Sequence, residues 1–187
     1  MKKTPTALAL LTAAWPALAD EAKMREEART LAVTIPPKMV EMLNEEIEKG
    51  GAANAIAVCR EKAPQMAKAA SEKSGWAIRR VSLKNRNPKA VPDDWERATL
   101  EEFDKRLAAG EKITALEKGE VVSEGGQQVY RFMKALPTQK LCLQCHGTPD
   151  TISAEVQAKL KELYPEDKAV GYGVNQIRGA MTLRKPL

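Results

Sequence analysis

Cys142, Leu143, Gln144, Cys145 and His146 place two thiols three residues apart, with an imidazole directly after the second. In an exported chain this C-x-x-C-H spacing is an attachment signature for a c-type haem: the thiols add to two vinyl groups and the histidine takes the iron. Two thiols at this spacing lie on one side of a short helical turn, and the next side chain can swing beneath the ring. Other chemistries use the same atoms. A thioredoxin-like pair needs the thiols alone and sits where a strand hands over to a helix, whereas Pro137 and the polar Thr138, Gln139 and Lys140 come first here. An exported zinc protein with three cysteines and one histidine would use every such residue in the chain. It would also ask adjacent Cys145 and His146 to bind one tetrahedral ion. A Cys142–Cys145 disulfide or a haem-free dithiol protein leaves His146 without a role. Covalent haem c, one per chain, accounts for all five residues.

The chain has one histidine, so a second histidine from the same chain is not available to the iron. The remaining axial position falls to Cys59, to a methionine among Met39, Met42, Met66, Met133 and Met181, to a lysine, to water, or to nothing. Cys59 also reads as a small buried hydrophobe or as half of an intermolecular disulfide. Arg79, Arg80 and Arg86 follow in a β-prone stretch and the loop beyond it. Arginine meets a carboxylate bidentately, which makes these three candidate partners of haem propionates as well as a solvated strand face. Trp76, Tyr130, Phe132 and Tyr172 either wall a pocket or fill the core. No Ser/His/Asp set, phosphate loop or paired-carboxylate signature stands out, so no enzymatic activity is expected.

These residues need elements to hold them. Met24, Ala28, Leu31 and Ile35 recur at helical spacing up to Pro36-Pro37, and Met39, Leu43 and Ile47 continue to Gly50-Gly51, a stop signal. A further helix from about Asn54 carries Ile56, Cys59, Ala63, Met66 and Ala70 on one apolar face, which directs Cys59 into the core. Pro64 removes the hydrogen bond to the Arg60 carbonyl, so a kink is expected just after Cys59. Ser74-Gly75 closes that helix. Strands are expected over 76–81, 128–133 and 176–183, with a hairpin at Gly125-Gly126. Asp93 caps one helix and Ser153 another, which stops before Pro165. Strands in the middle and at the end, with helices before and between, predict an α+β domain.

Lys2 and Lys3, the apolar stretch 7–14 and Ala17-Leu18-Ala19 read as a signal peptide over residues 1–19, with a single domain over 20–187. A periplasmic location follows, with no membrane span after cleavage. The full sequence of 187 residues has 30 Lys and Arg against 25 Asp and Glu, for a formal charge of +5. The signal segment holds two of those lysines, and two propionates would nearly cancel the remaining excess. No basic stripe interleaved with aromatics is present, so nucleic acid is not an expected partner.

Some 120 residues of the expected mature chain precede the haem motif, unlike the small electron-carrier cytochromes c, and the expected strands set the chain apart from four-helix cytochromes. Several segments together resemble the PAS-like periplasmic c-type haem domain family. They are Ala57-Val58-Cys59 with Ala63-Pro64, the run 76–82, Arg86-Asn87-Pro88, the motif itself, and Gly171-Tyr172-Gly173 with Ile177-Arg178-Gly179-Ala180. The resemblance implies a PAS-like antiparallel sheet with N-terminal and flanking helices. It also implies iron ligation by His146 and Cys59. The implied role is a redox or small-ligand sensor, with an unknown redox or signalling partner or a small gaseous ligand; a low-potential electron-transfer cytochrome is the alternative.

Overall fold

The computed structural model describes residues 14–187; most of the signal segment expected over 1–19 lies outside the described residues. The protein is α+β, with a four-stranded antiparallel sheet and helices on both of its faces, as the sequence predicts. The first helix, α1, is Ala14–Ser74, interrupted only at Gly51, whose φ of 78° and ψ of 170° are not helical. A straight helix of this length would span roughly 90 Å at 1.5 Å per residue, yet Ala28 and Ala32 from before the break share one core cluster with Ala70 from after it. The chain therefore folds back at Gly51 into two helical arms, 14–50 and 52–74. Glycine suits this position because a positive φ strains other side chains.

The helix end expected at Pro36-Pro37 is corrected, and Pro64 does not break its helix. The first arm runs through Pro36 and Pro37, and the second runs through Pro64 without a non-helical residue. A proline costs a helix one hydrogen bond and some steric room. Here the flanks of Pro64 are anchored separately, Ile56 against the fourth helix and Ala70 against the sheet, and the packing on both sides keeps the arm intact.

The sheet comprises β1 Ala77–Val81, β2 Glu117–Glu124, β3 Gln127–Pro137 and β4 Ile177–Pro186, in the order β1-β4-β3-β2. The β2–β3 turn is the expected one, with positive φ at Gly125 (59°) and Gly126 (85°), the conformation that two-residue hairpin turns need. Alternation along the strands sorts the core into two halves. Trp76, Ile78, Tyr130, Phe132, Met181 and Leu183 face α1. Val81, Met133, Ala135 and Ala180 face Leu100 and Phe103 of α2, Asp94–Ala108. Asp93 starts α2 with a full capping box, its side chain accepting from the Glu96 N–H while the Glu96 carboxylate accepts from the Asp93 N–H. Two short helices complete the fold: α3, Leu143–His146, and α4, Ala154–Leu163, capped by Ser153 as expected. No helix among the described residues is long and apolar enough to cross a membrane.

The α1 arm is tied to the sheet edge by charge as well as by packing. Arg29 forks onto Glu117 of β2, with Nη2 2.5 Å from Oε1 and Nε 3.0 Å from Oε2. Arg25 Nη2 donates to the Gly119 carbonyl at 2.7 Å. The Arg29 hydrogen bonds, helped by Lys134 and opposed by burial, hold the Glu117 carboxyl below its ordinary 4.5. A depressed carboxylate contributes stability that is complete above its unfolded value and is lost as pH falls through its folded one. The thermal midpoint of Glu117→Gln is thus expected to lie below wild type at neutral pH and to converge with it as pH falls through the depressed folded-state value. A gap that persists unchanged at acid pH would remove this tether from the account.

Candidate functional site

The motif is presented on a tight turn. Lys140–Cys142 form a single 3-10 turn that passes directly into α3, which ends at Gly147. A Cβ on Gly147 would stand 2.6 Å from the Leu143 carbonyl oxygen and 2.7 Å from Thr151 Oγ1, so only glycine lets the chain leave the motif along this path. Cys142 and Cys145 are both free thiols and partly accessible. Burial pushes the Cys145 thiol up to about 11.

The far side of the turn is bonded into the segment before β4. The Gly171 N–H donates to the Gly147 carbonyl at 2.7 Å, and the Tyr172 N–H to the His146 carbonyl at 2.9 Å. Tyr172 also sets its ring edge-on to His146, with centroids 6.3 Å apart. His146 Nδ1 lies 2.7 Å from the Ala169 carbonyl oxygen. A carbonyl oxygen only accepts, so Nδ1 carries the proton and Nε2 keeps its lone pair, the tautomer a metal ligand requires. Burial, with the Arg178 and Arg86 charges nearby, holds His146 well below its ordinary pKa, opposing the doubly protonated form that could bind no metal.

The Ala169 carbonyl is itself held in place. Asp167 accepts the Ala169 N–H at 2.8 Å and the Arg86 Nε–H at 2.9 Å. Arg86 Nη2 donates to the Cys145 carbonyl at 2.5 Å and also reaches the Ala169 carbonyl at 3.3 Å. The structure thus uses the Nε and Nη2 donors of Arg86 to brace the motif's backbone.

The other two arginines separate by strand parity. Arg79 points to the α2 face, where its guanidinium pairs with the buried Glu96 and also donates to the Lys89 and Val91 carbonyls. It does not join the motif. Arg80, one residue on, points to the α1 face. Among the described residues it has no carboxylate or carbonyl bonded to it; its side chain is solvent-accessible, yet surrounding protein lowers its pKa by desolvation despite the Cys59 and Cys142 sulfurs that act to raise it.

Cys59 departs from the expected core position. Ile56, one turn earlier, is buried in the cluster that α1 makes with α4, and Cys145 packs against that cluster; Cys59 itself is solvent-accessible. Surrounding protein nevertheless raises its thiol pKa by desolvation, with Arg80, Arg86 and Arg178 opposing. The second arm of α1 therefore brings Cys59, from a distant part of the chain, to a recess beside Cys142, Cys145 and Arg80, the groups whose charges act on it or on which it acts. Met133 and Met181, two rival ligands, are fully buried in the two sheet cores, as are Trp76, Tyr130 and Phe132. Of the four aromatics considered for the pocket, Tyr172 alone adjoins His146.

Two site residues were not singled out from the sequence. Ala169 acts through its backbone, and no side-chain pattern marks it. Arg178, on β4, sets its Nε 3.2 Å from His146 Nδ1. Among the described residues no three His, Cys, Asp or Glu side chains converge as a metal ion would require, which leaves the zinc reading without a tetrahedral site. The residues fit a haem better: two accessible thiols at vinyl spacing, an imidazole held in the ligating tautomer, a thiol across the recess, and a desolvated arginine that no protein anion neutralises.

The sequence matches the Tll0287-like family over residues 18–186. The chain belongs to that family. It is also similar to the crystal structure of the cyanobacterial heme-protein Tll0287, with 26% identity and a TM-score of 0.60 over 82% of this chain and 91% of that one. No curated protein matches the sequence. The match to the Tll0287-like family spans both arms of α1 and the whole sheet, so Cys59 and the Cys142–His146 motif fall within it.

Proposed function

We propose that this chain is an exported, periplasmic monohaem protein that senses redox state or a small ligand. Cys142 and Cys145 would hold the haem by thioether bonds, making it haem c, and His146 and Cys59 would bind its iron. The observation that carries the reading is the His146 tautomer, fixed by the Ala169 carbonyl at 2.7 Å, with the Cys59 thiol lining the same recess. The name of the related cyanobacterial heme-protein supports the choice of cofactor. Once bound, the haem supplies a one-electron iron centre.

The protein's own residues determine what that centre can do. His146 is held from behind by Ala169, Asp167 and Arg86, so it is the fixed ligand. Arg80, without a protein anion, is the residue best placed to meet a propionate, in the charge-assisted bond that arginine forms with carboxylates. Cys59 comes from a separate element and is the ligand that can leave. A thiolate loses affinity when the metal's charge falls, and a desolvated sulfur then favours its protonated form. That opens a position for a small molecule and favours sensing over plain low-potential electron transfer, the second reading.

Protein produced with haem-attachment machinery is expected to carry pigment that survives acid–acetone extraction. When reduced, it should bind carbon monoxide, as a carrier that retains both strong ligands would not. Pigment lost on extraction would end the haem c assignment. Retained pigment with no carbon monoxide adduct would leave electron transfer as the function.

A further inference from the structure

Arg178 is 7% exposed and bonds no carboxylate among the described residues. Its Nη1 donates to Ser82 Oγ at 3.1 Å and to the Lys84 carbonyl at 3.3 Å. Its guanidinium carbon sits 5.4 Å from the centre of the Tyr172 ring. All three partners are neutral, and burying a cation without an anion is costly. Packing alone does not account for it.

The contact with His146 gives the reason. Nδ1 already donates to the Ala169 carbonyl, so the Arg178 Nε–H, 3.2 Å away, meets another N–H. Two donors cannot form a hydrogen bond with each other. The guanidinium stays because Ser82, Lys84 and Tyr172 hold it, and its effect on the imidazole is through its field. A buried charge is weakly screened by salt and by water. Ser82 is fixed in turn by donating to the Arg178 carbonyl at 2.9 Å, so the segment just after β1 and strand β4 jointly fix the position of this charge.

We propose that Arg178 is a positioning residue: a permanent positive charge behind His146 that favours the reduced, less positive state of the site. This rests on the haem reading above.

The test uses the haem-loaded protein. Arg178→Met should keep covalent pigment and the ferric spectrum, because both ligands remain. Its oxidised form should gain on the order of tenfold over the reduced one, a fall in potential of about 59 mV. Arg178→Lys, which keeps the charge, should recover most of that loss, and 1 M salt should not abolish the difference between the variants. A second readout uses the haem-free chain. Nitrogen NMR of His146 should find the proton on Nδ1 in both wild type and Arg178→Met, since Ala169 sets the tautomer. A proton that moves to Nε2 only in wild type would make Arg178 a hydrogen-bond donor to His146 and overturn the proposal. Pigmented Arg178→Met with an unchanged potential would overturn this inference alone, whereas unpigmented wild type would remove the haem reading with it.

Discussion

Combining Cys142→Ala with Cys145→Ala is expected to leave no haem covalently bound, while each single change leaves it on at most one thioether. Both thiols are free and partly accessible on one short turn. The only other thiol, Cys59, lies on a helix arm and lacks an adjacent histidine. Mass spectrometry of the double variant decides the point, and a full haem adduct there would place the attachment elsewhere. The fold should survive, since neither side chain belongs to the fully buried core of either sheet face.

The second large effect concerns Cys59→Ser, which is expected to keep covalent haem but change the ferric spectrum and raise the potential. A thiolate is anionic and stabilises ferric over ferrous iron. If it prefers the ferric form about a thousandfold, its loss raises the potential by about 180 mV, at 59 mV per tenfold for one electron. Serine keeps the size and loses the soft, ionisable sulfur. Potentiometry and the ferric spectrum measure both effects together. A variant that matches wild type in both would reduce Cys59 to a residue lining the recess. The two arginine and cysteine variants should shift the potential in opposite directions, and a double variant tests whether the shifts add.

Residues near each other in sequence were the easiest to read in advance. Asp93, Ser153, Gly75 and the Gly125-Gly126 pair each act within a few positions of themselves, and each forms the cap, stop or turn its type predicts. The five-residue motif was legible for the same reason. Pro64 leaves its helix unbroken because Ile56 and Ala70, on either side of it, are anchored to two different layers of the fold, which propensity cannot register. Arg79 and Arg80 looked equivalent as neighbours, but on a strand neighbours face opposite ways. One is consumed by Glu96 and the other faces the recess. Cys59 followed the apolar stripe of its helix on paper, but Ile56 of that stripe is buried against α4 while Cys59 stays solvent-accessible. Arg178 and the Ala169 carbonyl became visible only once β4 and the segment before it were docked against the motif.

The recess is built from opposite ends of the chain: Cys59 lies on the second arm of α1, and His146 follows the whole of the sheet except β4. A bond from each to one metal centre would close a loop containing nearly half the protein. Closing a loop removes freedom mostly from the unfolded chain, and the effect grows slowly with loop length. The electron count of the iron would then set how strongly the chain resists unfolding. Oxidised protein, with both ends tied, should open its α1 arm far less often in amide exchange than reduced protein with Cys59 released. A redox signal would in this way become a change in local unfolding, legible to any partner that binds the opened arm.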